Sequence, residues 1–340
     1  MQITPELIIL GVMLAGLILY VLLGGADYGG GMWDLLAFGP RARRQREAIA
    51  SAIGPVWEAN HVWLILVVVL LFSAFPPASA AIMTALHIPM TLILIGIVLR
   101  GAAFVFRKYD AQDDVVHRRW STIFGIASFL TPFLLGISLG GLASGAIRVE
   151  GDVVLSGFVA GWMTPFAIAC GLFTQGMFAF LAASYLTLDT REDPALQNDF
   201  RLRAIASGAS LAPVALAVFW LARYDAPHLF QGLTRPWAPF LLAAVSICAV
   251  GALVALYRRK FPMARAAAIA QVTLILLGWA FAQFPYLVPT GLAYQAAASP
   301  RPVLSAMVWA LAAGSLVLLP SLYYLFRTFK SRDPAGPHIG

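Results

Sequence analysis

The sequence predicts an all-α, polytopic integral membrane protein with about nine transmembrane helices. Hydrophobic residues make up 60% of its 340 residues and charged residues only 11%, whereas about a quarter of the residues in a soluble domain are charged. The mean hydropathy is +0.82, and apolar runs long enough to cross a bilayer, about 20 residues, recur along the chain. The uneven distribution of arginine and lysine along these runs then indicates an orientation.

Nine apolar segments are long enough, or nearly so, to cross the ~30 Å hydrocarbon core of a bilayer as helices. No long polar insertion separates them, so we expect a single integral membrane domain over residues 1–340. The expected spans are residues 7–28, 58–76, 79–106, 121–145, 157–187, 204–222, 238–257, 266–284 and 303–326.

Lysine and arginine residues concentrate in alternate loops between these spans. Eighteen of them fall on one side of the membrane and four on the other, and Arg100 lies within the third span. By the positive-inside rule the basic side is cytoplasmic, which places the N-terminus outside and the C-terminus in the cytoplasm. Because topology accounts for the basic charge, we expect no nucleic-acid partner. The first run has no positive charge before it, unlike a cleaved signal peptide.

Two short motifs place carboxylates beside apolar runs. Residues 24–33, GGADYGGGMW, contain Asp27 near the cytoplasmic end of the first span. Residues 54–63, GPVWEANHVW, contain Glu58, Asn60 and His61 at the start of the second span. An ionisable group at the centre of a membrane helix costs roughly 2.5–3.5 kcal/mol, so such residues are functional candidates.

The predicted orientation puts four ionisable groups at one membrane level, since Arg100 lies about a turn and a half before the cytoplasmic end of the third span. Glu58 and His61 are three residues apart, on one helix face. We predict a cytoplasmic polar pocket in which Asp27, Glu58 and His61 relay protons and Arg100 is their charge partner. The alternative is that these groups reach interfacial water and only stabilise helix ends.

The other residues of the two motifs are expected to serve packing. Gly25, Gly29 and Gly31 flank Asp27 and would allow another backbone to approach closely. Trp57 and Trp63 are expected to anchor the second span at the membrane interface, where tryptophan is enriched.

The sequence offers no metal or haem site of its own. Cys170 and Cys248 both lie inside apolar runs without metal-ligand spacing. His61 and His87 would differ in depth by roughly 10–15 Å, too far apart for axial ligands of one iron. We expect His87 to be a helix-packing residue.

The two motifs together resemble subunit II of the cytochrome bd-type quinol oxidases, including the cyanide-insensitive branch. The resemblance extends to Arg100, to residues 128–132 (SFLTP) and to residues 182–186 (AASYL), and it covers about the first 190 residues well. Farther along, it depends on hydropathy and on residues 284–289, FPYLVP.

This resemblance implies the haem-free subunit of a heterodimeric terminal oxidase in the bacterial cytoplasmic (inner) membrane. It implies a partner, subunit I, that carries two b-type haems, one d-type haem and the quinol site, while the complex oxidises quinol and reduces dioxygen to water. It further implies that this chain has no catalytic residue and binds no haem directly, and that protons enter from the cytoplasm. A structural quinone and a small single-helix accessory subunit are left open.

The sequence departs from the family pattern at three positions. Glu58 stands where many members have Asp, and His61 where many have Gln, which adds an imidazole that ordinarily titrates near neutrality. Some relatives have an acid near the position of Val105, so a proton route through that point is not expected here.

Two other function classes are compatible with buried acids in membrane helices. The first is a proton- or ion-coupled secondary transporter, in which the same acids would couple ions to a substrate; such proteins commonly show internal repeats, and no convincing repeat is present. The second is a structural or assembly subunit whose polar cluster only packs.

Overall fold

The computed structural model describes residues 4–53, 57–109, 114–150, 153–289 and 291–330. The side chains of Trp57 and Glu58, two residues singled out above, lie outside the described part of the chain. Thirteen helices and four very short strands make up this part, so the predicted all-α class is confirmed.

The long helices of the bundle contain 18 to 32 residues each. They are α1 (Pro5–Leu35), α3 (Trp57–Ala74), α5 (His87–Tyr109), α6 (Asp114–Ser144), α7 (Pro165–Asp189), α8 (Pro194–Asp225), α10 (Ala238–Tyr257), α11 (Phe261–Gln283) and α13 (Arg301–Lys330). Four shorter helices connect them: α2 (Ala42–Ile53), α4 (Pro76–Ala85), α9 (Pro227–Leu233) and α12 (Tyr294–Ala297).

Two antiparallel hairpins lie in the connections. The first pairs β1 (Val149–Glu150) with β2 (Val153–Val154), and the second pairs β3 (Tyr286–Val288) with β4 (Leu292–Ala293).

Proline sets many of the helix starts. Helices α1, α4, α7, α8 and α9 all begin at a proline, a residue that fits the first helical position because its missing N–H would have no partner there. Two of these starts are also capped. The Thr164 side chain accepts a hydrogen bond from the Ala167 amide at 3.1 Å, and Asp193 accepts from the Ala195 and Leu196 amides.

Eight helices in the described part are long and apolar enough to cross a membrane, or nine if α3 and α4 together form one broken span. The chain is therefore a multi-pass membrane protein, as predicted. The most conspicuous difference from the predicted spans is at residues 79–106, which do not form one helix. These residues are divided between α4 and α5.

Leu86 separates α4 from α5 within this segment, and a second break lies at Phe75 between α3 and α4. The axes of the two helices differ by 118°, and Pro76 and Pro77 stand at the break. Proline lacks a backbone N–H and restricts the residue before it, so α3 cannot continue through this pair. The predicted segment 157–187 is likewise shortened, because α7 begins only at Pro165.

Different helices and hairpins form the two ends of the bundle. The end that we call the basic face contains α2, the last turns of α1 and α7 and the first turns of α3, α8 and α11; Ile49, Phe124, Leu186 and Phe200 form a common apolar cluster there. At the opposite face, Ile9 of α1 packs with residues of α4 and of the second hairpin.

Helix α1 lies at the centre of the bundle, where it packs against α3, α6 and α7. Its glycines permit this approach. A Cβ atom on Gly25 would lie 2.8 Å from the Phe178 ring, and one on Gly29 would collide with the Phe178 carbonyl oxygen and lie 2.7 Å from the Ala182 methyl group. A Cβ on Gly31 would overlap Ser128 of α6. These glycines therefore let α1 pack closely against α7 and α6, and at Gly29 the α7 backbone itself is in contact.

We predict that Gly29→Ala lowers the stability of the folded chain by about 1–3 kcal/mol, the usual cost of overpacking. The matched control is Gly11→Ala on the same helix, where a Cβ would meet nothing within 4 Å. The thermal unfolding midpoint of the purified protein in detergent would measure both. Equal midpoints for the two variants would contradict the packing role of Gly29.

Candidate functional site

A buried carboxylate joins α1 to the first turn of α3. Asp27 is 6% exposed and Asn60 is 2% exposed, and the Asn60 side-chain amide donates a hydrogen bond to Asp27 Oδ2. This charge-assisted contact holds the carboxylate in one orientation between the two helices. It also places a negative charge beside the N-terminal turn of α3, where the helix dipole stabilises it.

Arg100 is a fully buried cation on α5. Its side chain is 2% exposed, and Nε donates to Ser128 Oγ at 3.2 Å. The guanidinium carbon lies 4.7 Å from the centre of the Tyr28 ring and 5.2 Å from that of Phe124. Cation–π contacts of this kind are worth more when water is excluded. No described residue accepts a hydrogen bond from Arg100 Nη2.

Tyrosine rings connect His61 to this cation. The His61 ring lies 6.1 Å from the ring centre of Tyr20 and 6.1 Å from that of Tyr28. Tyr28 thus contacts both His61 and Arg100, and it directly follows Asp27 on α1. The structure therefore brings Asp27, His61 and Arg100 together around one stretch of α1, while the side chain of Glu58 lies outside the described residues.

A cavity of about 60 Å³ lies beside Asp27 and Asn60 at the basic face. We call it the basic-face cavity. Its polar lining consists of Asp27, Asn60, Tyr185, Asp189 and Arg265; its apolar lining consists of Leu23, Ala26, Gly30, Ile49, Ala52, Ile53, Ala182 and Leu186. One water needs about 10–15 Å³ of such space and two to four polar partners. The cavity therefore has both the room and the partners for more than one water.

A largely buried ion pair lies nearer to the basic face, and it was missed by the sequence analysis. Arg107 Nη1 is 3.0 Å from Asp34 Oδ2, with the two side chains 10% and 1% exposed. Spacing could have revealed it. Asp34 follows Asp27 by seven residues on α1 and Arg107 follows Arg100 by seven on α5, so each pair shares a helix face.

Helix α2 closes the basic-face cavity from the side, and ion pairs fix it to α8. Arg41 contacts Asp199 at 2.6 Å and Arg44 pairs with Asp193. Gln45 donates to Asp199 at 2.9 Å. This helix was not predicted, because 12 residues with several arginines give no membrane signal.

The described histidines lie in different parts of the bundle. His61 belongs to the cluster near the basic face, whereas His87 begins α5 and His228 lies in α9, both at the opposite face. Neither the basic-face cavity nor the larger apolar cavity at the opposite face is lined by a histidine. Within the described residues no group of three or more His, Cys, Asp or Glu could hold a metal ion.

Two side chains lie in surroundings that differ from those expected above. Trp63 does not anchor the chain at an interface; it is 8% exposed and packs in the main apolar core with Tyr20 and Met177, because its face of α3 points toward α1. His87 is the first residue of α5, a helix long and apolar enough to cross a membrane. It is exposed at the start of α5, since the break after α4 moves it to the surface, and its ring contacts Phe158.

A family model described as "Cytochrome bd terminal oxidase subunit II" matches residues 5–329. The chain belongs to this family. Among curated members, it is 30% identical to cytochrome bd ubiquinol oxidase subunit 2 of Bacillus subtilis strain 168 over 236 residues, which cover 67% of this chain and 68% of that protein.

The chain is also 29% identical to cytochrome bd-I ubiquinol oxidase subunit 2 of Escherichia coli K12 over 219 residues. That match covers 63% of this chain but only about half, 54%, of the relative. Among solved structures, the fold matches a chain of the bd oxidase from Geobacillus thermodenitrificans with a TM-score of 0.75 and 21% identity, covering 97% of this chain and 100% of that one. At this identity the match shows the fold alone.

We predict that Asp34→Asn and Arg107→Met each destabilise the subunit by about 3–5 kcal/mol, because each leaves the opposite charge buried without its ion-pair partner. The double variant should lose less than the sum of the two single losses. Arg43→Ala is the control, since Arg43 and its partner Glu47 are 92% and 60% exposed, and should change stability by at most about 1 kcal/mol. Additive single losses in a double-mutant cycle, measured by thermal unfolding, would exclude direct coupling.

Proposed function

We propose that this chain is the haem-free subunit II of a cytochrome bd-type oxidase in the bacterial inner membrane. The complex oxidises quinol and reduces dioxygen to water, and subunit I carries its two b-type haems, its d-type haem and the quinol site. This chain supports subunit I and supplies a proton path from the cytoplasmic side. Family membership over residues 5–329 supports this proposal over the secondary transporter that the sequence alone left open.

The observation that carries the proton path is the cluster of Asp27, Asn60, His61 and Arg100 beside the basic-face cavity. Reduction of dioxygen to water consumes protons as well as electrons, so the complex needs a route for protons into the membrane. A carboxylate that is buried, oriented by a hydrogen bond and next to a polar cavity can accept a proton from cavity water and release it inward.

Three other groups near Asp27 have separate roles in this proposal. Glu58 lies in the first turn of α3, three residues before His61, and we assign these two residues to the path beside Asp27. Arg100 supplies a permanent positive charge that balances the carboxylates in a medium of low dielectric constant. Positioned acid–base groups of this kind typically contribute about 10²–10⁴-fold to a rate.

A structural quinone in this subunit would find room at the opposite face. An apolar cavity of about 340 Å³ lies there between α1, α3, α6 and α11. Trp279 and Gln283 line it, and the buried Trp279 Nε1 and Gln283 Oε1 atoms have no hydrogen-bond partner among the described residues. A quinone ring oxygen is an acceptor of the kind that the indole N–H needs.

The visible spectrum of the complex purified through a tag on this chain tests the assignment. We expect b-type and d-type haem bands and oxygen consumption on addition of quinol, and organic extraction of the same preparation would reveal a bound quinone. A preparation from intact membranes without haem bands and without quinol-dependent oxygen consumption would contradict the oxidase proposal.

We predict that Asp27→Asn and Glu58→Gln each slow oxygen consumption by roughly tenfold or more, because an amide cannot relay the proton. The haem spectrum should stay unchanged, since each substitution keeps the size of the side chain. Glu47→Gln is the matched control, an exposed carboxylate on the same face. Turnover as in the wild type for both variants would contradict a proton role, and loss of haem would indicate a packing role instead.

A further inference from the structure

The basic-face cavity contains a second carboxylate, Asp189, that the proposed path has not used. Asp189 is the last residue of α7 and is exposed, whereas Asp27 lies buried against α3. Both residues line the same cavity. The cavity therefore connects a solvent-facing carboxylate to a buried one.

One stripe of α7 forms the wall between these two acids. Ala182, Tyr185, Leu186 and Asp189 all line the cavity, and their spacing of three, four and seven residues puts them on one helix face. From Ala182 to Asp189 this lining extends about 10 Å along the helix, the rise of seven residues. A short chain of waters can cover this distance, and the cavity has room for more than one water.

Arg265 of α11 forms another side of the cavity. Its guanidinium carbon lies 4.4 Å from the centre of the Tyr185 ring, which holds both side chains in place. A cation and a carboxylate therefore face the same cavity from α11 and α7. Both side chains line the space that water would occupy.

We propose that Asp189 is the proton-collecting residue of this subunit, which takes protons from the solvent at the basic face and delivers them through the basic-face cavity to Asp27. In the step, a proton leaves solvent water, binds a carboxylate oxygen of Asp189, and passes to cavity water and then to Asp27, which restores the Asp189 carboxylate. No electron is transferred. This inference rests on the proton path proposed above.

The test measures quinol-dependent oxygen consumption of the purified complex as a function of pH. Asp189→Asn is expected to slow turnover roughly tenfold or more at alkaline pH, where protons are scarce and a collecting carboxylate matters most, and much less at acidic pH. Asp189→Glu should restore the alkaline activity. Glu192→Gln is the matched control, because Glu192 is exposed three residues away and does not line the cavity.

The outcomes separate this inference from the proton path itself. Slow turnover in Asp27→Asn together with unchanged turnover in Asp189→Asn at every pH would overturn the role of Asp189 alone. Unchanged turnover in Asp27→Asn would overturn the path. Loss of haem bands in Asp189→Asn, or equal loss of activity at all pH values without rescue by Glu, would indicate a structural role and also overturn the inference.

A second variant tests the cavity without touching either acid. Ala52→Leu adds side-chain volume from α2 into the cavity and is expected to displace the water between Asp189 and Asp27. We expect the same selective loss at alkaline pH as in Asp189→Asn. Full alkaline activity in Ala52→Leu, with an intact haem spectrum, would overturn the cavity as the route.

Discussion

The close approach of α1 to three neighbouring helices is the constraint on which the rest of the structure depends. Glycines at positions 25, 29 and 31 leave no side chain between α1 and its neighbours, so α1 packs closely against α7 and α6. Only with α1 at this depth does Asp27 come under the first turn of α3, where Asn60 can bind it. In a bilayer, apolar surface gives little drive for helices to associate, so such packing and buried hydrogen bonds must hold them together.

Acidic residues of α1 and basic residues of α5 lie at two common levels of the bundle. Asp27 and Asp34 are two turns apart on α1, and Arg100 and Arg107 are two turns apart on α5, so buried acids and buried bases alternate between the same two levels. The outer level is a direct ion pair. At the inner level Arg100 contacts tyrosine and phenylalanine rings and Ser128 instead, which leaves the Asp27 carboxylate to Asn60 and the cavity.

Much of the fold could be predicted from the sequence, because hydropathy reports how each segment partitions into a membrane. Hydropathy did not predict α2, because the arginines of this helix make it polar. It also did not predict the break at Pro76 and Pro77 that separates α4 from α3. Hydropathy also does not predict which side chains pack against each other. Trp63 has the composition of an interfacial residue, and only the rotation of α3 against α1 puts it in the core.

Much of the candidate site was also predictable, since motif spacing and charge topology put Asp27, His61 and Arg100 at one level. The Asp34–Arg107 pair was accessible in principle through its seven-residue spacing. Asp189 was not, because no pattern in the sequence relates the end of α7 to the middle of α1. That relation exists only through the cavity, which five different helices line.

The cavity also bears on the position near Val105, where some relatives carry an acid. Val105 is on α5 and is 40% exposed, and it does not line the cavity. An acid there would face away from the route between Asp189 and Asp27, toward lipid or another subunit. The path proposed above, which begins at the basic face beside α2 and α7, therefore does not depend on an acid at this position.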